Sequence, residues 1–298
     1  MSMILVAGRG GQLARCLQVH AQAAGLRLLA AGRPELDLQE PASLERFVAG
    51  RQPSAIINAA AYTAVDQAEA EPERAFAINR DGAGRLAAIA ARLQVPFVQI
   101  STDYVFSGEK QSPYTEDDAT GPLNVYGQSK LAGEVAVLEA NPEALVIRTS
   151  WVYSPYGHNF LKTMLRLATT QTTVRVVGDQ VGTPTSAADL ARAILEIVQR
   201  LVSARPPQKS RIYHLAAPDE TTWHGFAAAV FAVLSRHGGR IPSLQKITTA
   251  DYPTPARRPA NSRLDSSKAE RVFGVRLAPW RSSLESCINQ LLTEKISL

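Results

Sequence analysis

Two side chains near the middle of the chain have the types and the spacing for acid–base chemistry. Tyr126 and Lys130 stand four residues apart where a helical pattern begins. Residues i and i+4 share one face of a helix, so the ammonium can lie beneath the phenol and stabilise its phenolate. A phenol titrates near a pKa of about 10 and carries protons poorly at neutral pH unless a fixed cation favours its charged form. A third candidate is Thr102, near the end of the apolar run 97–103. In open α/β sheets ligands bind at the carboxyl ends of strands, so its hydroxyl can donate to a substrate oxygen. It can equally cap the turn that follows.

The elements that must position these groups begin at the N-terminus. Residues 4–8 form a short apolar run ending in glycine, and a helical stretch follows. The turn between them fits G-x-x-G-x-x-A, read from Gly8 through Gly11 to Ala14. Glycines so placed let the backbone turn sharply and approach a pyrophosphate resting on the helix N-terminus, where free N–H groups and the dipole favour negative charge. Residues 27–33 read as the second strand, and Arg33 rather than a carboxylate stands at its end. An arginine there pairs with a 2′-phosphate, which points to NADPH. Glu35 or Asp37 can still reach a ribose hydroxyl, which leaves NADH possible.

Residues 55–60 read as a third strand running into small residues that let a flat cofactor pass, and 74–93 as a helix carrying Asn79 and Gly82. Asn79 is placed to bond a strand backbone rather than to do chemistry. After the strand 97–103, a loop over 107–123 delivers the chain to Tyr126, and a strand over 144–153 follows. The βα alternation then loosens into a strand at 174–177, a turn at 182–185, an amphipathic helix over 186–200 and a last sheet strand at 212–215. From 218 onward, helices are joined by Pro-rich loops. The pattern predicts an α/β protein, a Rossmann-like doubly wound parallel sheet with a smaller mixed α/β substrate domain. The dinucleotide-binding domain is expected over 1–150, with 186–217 as the join; residues 151–185 and 218–298 form the substrate-binding domain.

Composition narrows the function classes. The 298 residues are 45% hydrophobic and 20% charged, ordinary for a globular protein. No apolar run approaches the roughly 18 residues of a membrane span, and the segment at 3–7 is too short for a signal peptide, so a cytoplasmic protein without membrane partners is expected. Cys16 and Cys287, far apart in sequence, fit a reducing compartment. The net charge of +5 has no Lys/Arg run behind it, which argues against nucleic acid and suits an anionic small molecule. Five histidines, at 20, 158, 214, 224 and 237, lack metal-ligand spacing, so no metal site is expected. Neither a G-x-S-x-G elbow nor a G-x-x-x-x-G-K-[ST] loop is present. Trp151 and Trp223 either pack in the core or stack on a base or ring.

Several segments together resemble a known family. They are Gly8-x-x-Gly11-Gln12-Leu13, Asn58-Ala59-Ala60-Ala61-Tyr62-Thr63-Ala64-Val65-Asp66, Ser101-Thr102-Asp103-Tyr104-Val105-Phe106, Pro122 through Lys130, Arg148-Thr149-Ser150-Trp151-Val152-Tyr153, Asn159-Phe160 and Arg258-Pro259-x-Asn261-Ser262. On these the chain resembles the extended short-chain dehydrogenase/reductase family, and within it the reductases of dTDP-4-dehydro sugars. The Tyr-x-x-x-Lys pair marks the superfamily; the Ser-Thr-Asp-Tyr-Val-Phe, Arg-Thr-Ser-Trp-Val-Tyr and Arg-Pro-x-Asn-Ser elements are more specific.

The resemblance implies NAD(P)H-dependent reduction of the C4 ketone of dTDP-4-dehydro-L-rhamnose. Tyr126 would donate the proton, Thr102 would hold the ketone oxygen, and Lys130 would bind the nicotinamide ribose while depressing the phenol pKa. Gly11, Gln12, Leu13 and the strip Ala60, Ala61 and Tyr62 would line the dinucleotide, with Asp37 and Leu38 near the adenine. Asp103, Trp151, Asn159 and Arg258 would face the dTDP-sugar. Relatives that dimerise through Mg²⁺ use surface carboxylates at positions that align with Cys16 and Ala188, so a monomer or weak homodimer is expected here. An epimerase or 4,6-dehydratase, or a non-catalytic regulatory subunit, are the alternatives.

Overall fold

The computed structural model describes residues 3–204 and 211–294. Its centre is a six-stranded sheet of β1 (Met3–Ala7), β2 (Arg27–Ala31), β3 (Pro53–Asn58), β4 (Phe97–Thr102), β5 (Leu145–Thr149) and β6 (Ile212–His214). Every pairing is parallel, and the order across the sheet is β2-β1-β3-β4-β5-β6. The chain starts mid-sheet, moves to one edge, then returns past β1 to build the other half. The order reverses between β1 and β3, the crevice where doubly wound folds hold ligands.

The inner strands are apolar on both faces, as strands covered by helices on each side must be. Ile4, Val6, Ile57, Val98 and Ile147 belong to one buried cluster, and their neighbours Leu5, Ile56, Phe97 and Val146 to the other. Helices Gln12–Ala23 and Ala187–Ala204 bury their apolar stripes in the first cluster, and helices Pro41–Val48 and Ala83–Arg92 in the second. The first cluster continues without a break into Tyr153, Leu161, Val174, Phe226 and Trp280 of the region beyond β5. That region holds short pairs: 152–153 with 185–186, 173–177 with 243–247, and 181–182 with 221–222. Helices Phe160–Thr170, Trp223–Arg236 and Trp280–Thr293 pack around them. No described helix is long and apolar enough to cross a membrane.

Several elements differ from the sequence reading. The strand expected over 144–153 stops at Thr149, because Trp151 takes a left-handed φ of 47° and turns the chain out of the sheet. The helix expected over 74–93 is three pieces, with a π-helical turn Ala77–Gly82 between helices Pro72–Phe76 and Ala83–Arg92. Such turns re-aim a side chain, and here the buried one is Asn79. Helix Val125–Ala140 lies so close to this turn that a Cβ at Gly133 would stand 2.0 Å from the Asn79 carbonyl oxygen. Helices Pro41–Val48 and Phe160–Thr170 and strand Ser243–Ile247 stand where no element was expected, although a Pro at the first position of one helix and the Asn159 cap with apolar residues at helical spacing in the other are local signals. The joining segment 186–217 supplies β6 and a helix against Gln12–Ala23; its residues 205–210 lie outside the described residues.

Candidate active site

A cleft of about 930 Å³ opens at the carboxyl ends of β1, β3, β4 and β5. Its cofactor-sized end is shaped by backbone. Gly8 has φ 113°, and a Cβ there would stand 3.0 Å from the Ala59 and Ala60 backbone. Only glycine meets both conditions. Gly11 caps helix Gln12–Ala23 with no side-chain hydrogen bond, so the first N–H groups of that helix are left for a ligand. A cradle of this kind, with small residues opposite a bare helix N-terminus, fits the pyrophosphate of a dinucleotide.

Gly8, Gly11, Gln12, Leu13, Arg33, Asp37, Leu38, Ala60 and Ala61 all line the cleft. Arg33 is exposed at its rim, while Glu35 is engaged with Arg9 at 3.2 Å. Tyr62 does not line it. Its backbone N–H donates to Asn79 Oδ1 at 2.8 Å, its carbonyl accepts from Asn79 Nδ2 at 3.1 Å, and its hydroxyl donates to Glu71 at 3.1 Å. Asn79 also donates to the Ser129 hydroxyl at 2.9 Å, which ties the segment after β3 to helix Val125–Ala140. The sequence reading of Asn79 as a backbone-bonding residue agrees with this arrangement.

Thr102, Tyr126 and Lys130 meet in the same cleft. Asn124 caps the helix by accepting from the Gly127 N–H at 2.8 Å and anchors its own amide on the Arg257 carbonyl at 2.7 Å. That cap fixes Tyr126 in the first turn and Lys130 one turn below. Thr102 ends β4, where its hydroxyl donates to Asp103 Oδ1 at 3.0 Å and accepts from the Tyr104 N–H at 3.2 Å.

The electrostatics correct one expectation. Burial raises the Tyr126 pKa above its ordinary value, with the neighbouring Thr102 hydroxyl opposing the rise. The net direction is the reverse of the one expected from Lys130. Its ammonium is turned to the strand, donating to the Ile100 carbonyl at 2.7 Å, and burial lowers its own pKa to about 8. The residue spacing gave the shared face but not the desolvation, which is the larger effect. Asp103 is buried, its carboxyl is pushed up to about 6 by burial, and its Oδ2 has no partner among the described residues.

The residues expected to face a sugar nucleotide divide. Trp151 and Trp223 line the cleft as a face-to-face stack, with centroids 3.5 Å apart and planes at 11°, and Phe160 tilts against Trp223 at 4.7 Å. Asn159 also lines the cleft, but its amide is occupied. It caps helix Phe160–Thr170 through the Lys162 N–H at 3.1 Å and donates to the Ser154 carbonyl at 2.8 Å and to Gln12 Oε1 at 2.9 Å. Arg258 lies outside the lining, drawn off by a two-pronged pair with Asp66 at 2.6 and 2.8 Å. Thr63, Tyr104, Ser150 and His158 line the cleft unanticipated. All but His158 follow the ends of β3, β4 and β5, so the strand-end rule that found Thr102 reaches them too.

A doubly wound sheet with a dinucleotide cradle at its switch point and a threonine, tyrosine and lysine beside it defines an oxidoreductase of the short-chain dehydrogenase/reductase class. The chain belongs to the family described as the RmlD substrate binding domain, whose profile matches residues 1–293. It is 48% identical to a dTDP-4-dehydrorhamnose reductase of Sinorhizobium fredii, over 98% of this chain and 98% of that protein. Among solved structures, a dTDP-4-dehydrorhamnose reductase from Clostridium acetobutylicum superposes with a TM-score of 0.90 at 35% identity, covering 97% of this chain and 99% of that one. Another, from Bacillus anthracis and in complex with NADP, gives 0.87 at 31% identity over 97% of this chain and 100% of that one.

Proposed function

We propose that the protein uses NADPH to reduce the C4 ketone of dTDP-4-dehydro-L-rhamnose, giving dTDP-L-rhamnose. The observation that carries this reading is the meeting of the glycine cradle with Thr102, Tyr126 and Lys130 in one cleft, in a chain whose relatives carry that name. Gly8, Gly11, Gln12 and Leu13 would hold the pyrophosphate, Arg33 the 2′-phosphate, and Ala60 and Ala61 the flat face of the cofactor. When bound, NADPH supplies the hydride.

This chain's own residues supply the rest. A phenol with a raised pKa keeps its proton at neutral pH, the form a donor needs, so Tyr126 protonates the ketone oxygen as negative charge builds there. Thr102, lining the same cleft, holds that oxygen by turning its hydroxyl from Asp103 to the ketone. Lys130, one helical turn from Tyr126 in the same cleft, is the cation that would stabilise the phenolate as it forms. Asp103 has a free oxygen to accept from a sugar hydroxyl, and the Trp151–Trp223 stack offers an apolar wall to the deoxysugar. Residues 1–150 carry the cofactor, 186–217 the join, and 151–185 with 218–298 the sugar nucleotide. Cys16 and Ala188 offer no carboxylate for a bridging metal, which favours a monomer or weak homodimer.

The test follows NADPH absorbance with freshly generated dTDP-4-dehydro-L-rhamnose, and stoichiometric oxidation is expected. Protein that purifies with tightly held NAD⁺ and ignores added NADPH would instead be an epimerase or dehydratase.

A further inference from the structure

Behind the catalytic set lies a buried ion pair that the proposed chemistry leaves without a task. Glu134 is 2% exposed and sits one helical turn beyond Lys130, on the same helix face. Its carboxylate accepts from Arg148 Nε at 2.9 Å and Nη2 at 2.6 Å, and from the Ser101 hydroxyl. Ser101 precedes Thr102 on β4 and stands opposite Arg148 in the β4–β5 register. One carboxylate therefore joins the helix of Lys130 to the strand of Thr102.

We infer that Glu134 is a positioning residue for the reduction, the buried counter-charge that keeps Lys130 cationic beside Tyr126 and holds it in register with Thr102. The inference rests on reading Lys130 as the support of the phenol. Two cations, Lys130 and Arg148, are buried here with two carboxylates, Glu134 and Asp103, and a buried cation without a counter-charge neutralises itself. Asp103 lies on the side of Thr102 and Tyr126, so Glu134 is the carboxylate on the helix face of Lys130 itself. Burial lowers the Lys130 pKa to about 8, and the Glu134 charge is what opposes the fall.

Other charged groups on the elements packed against this helix are turned elsewhere. Asp81 pairs with Arg80, Arg74 with Glu71, Arg92 with Glu45, and Asp66 with Arg258. Asp103 is the exception, bonded to Thr102 and close enough to raise the Tyr126 pKa; Glu69 accepts from the Val125 N–H, and Glu73, Arg85 and Glu139 are exposed. The phenols of Tyr104 and Tyr126 are neutral below their raised pKa values.

The test is a Lys130 titration by NMR on protein carrying ¹³C-labelled lysine. There are seven lysines, and the Lys130 signal is the one lost in Lys130→Met. The wild-type signal should titrate near pH 8, and in Glu134→Gln the midpoint should fall by about one pH unit or more, a tenfold change in acidity. The alkaline limb of the kcat profile should move down with it, while KM stays near its wild-type value. Should Glu134→Gln fail to fold with Arg148 left unpaired, the double variant Glu134→Gln/Arg148→Met is compared with Arg148→Met alone, so that only the carboxylate differs between the two. A Lys130 midpoint unmoved in a folded variant overturns the inference. A midpoint that moves in protein inert toward the sugar nucleotide upholds the electrostatic role and overturns the reductase reading instead.

Discussion

Around β1 the cleft is lined by backbone, with Gly8 at φ 113° and a helix N-terminus left bare, whereas around residues 151–160 it is lined by side chains already bonded to one another. The first end suits a ligand part common to many proteins, a pyrophosphate that any row of N–H groups can hold. The second depends on contacts between particular side chains, Trp151 on Trp223 and Asn159 on Gln12. Backbone sites are broken by adding an atom, and side-chain sites by removing one.

The largest effect should fall between the two ends. Tyr126→Phe removes the proton donor and should lower kcat by about 10²–10⁴-fold. NADPH affinity measured by fluorescence titration should hardly change; a matching loss of affinity would mean that the ends are not separable. Next is the seam where the chain crosses from the sheet. His214 ends β6 fully buried, its Nδ1–H donating to the Tyr114 carbonyl at 3.1 Å, and burial with Arg148 nearby pushes its pKa down to about 3. The unfolded chain binds this proton near pH 6.5 and the folded one does not, so stability is complete above that pH. It should decline between about 6.5 and 3 by up to roughly 1.4 kcal/mol per pH unit. Urea titrations over that range should show a flatter decline for His214→Gln.

Gly8→Ala tests the backbone end. The strained φ and the crowding against Ala59 should cost about 1–3 kcal/mol, seen as weaker NADPH binding with substrate KM less affected. Equal losses at both ends would erase the contrast. Smallest is Arg33→Ala, at an exposed rim position where screening limits the pair to about 1 kcal/mol. NADPH should weaken several-fold and NADH not at all, and equal losses would show that Arg33 does not read the 2′-phosphate.

The sequence was most informative where chemistry follows local rules. The turn from Gly8 to Ala14, the i and i+4 pair of Tyr126 and Lys130, and the hydroxyl at the end of β4 each lie within one short stretch, and the structure brings them to one cleft. What the sequence concealed depends on partners far away in the chain. Arg258 reads locally as a free guanidinium, yet Asp66, 192 residues earlier, claims it. Strand Ser243–Ile247 is weakly apolar and half exposed, and exists through its parallel partner Thr173–Val177. Trp151 belongs by composition to a continuing strand, and only the bulk of its ring against Gly182 and Trp223 shows why the strand ends. The desolvation of Tyr126 and Lys130 is likewise a property of what covers them, which spacing does not record.

Gln12 is the first residue of the helix that faces the cradle, and its side chain reaches out of the sheet region altogether. It accepts from the Ser154 hydroxyl and the Asn159 amide, both at 2.9 Å, and donates to the Val152 carbonyl at 3.3 Å. Through Asn159 it touches the cap of helix Phe160–Thr170, whose first residue lines the other end of the cleft. Whatever settles on the helix N-terminus at Gln12 therefore shares a residue with that other end. A coupling carried by Gln12 would be equal in both directions, each ligand changing the other's affinity by the same factor.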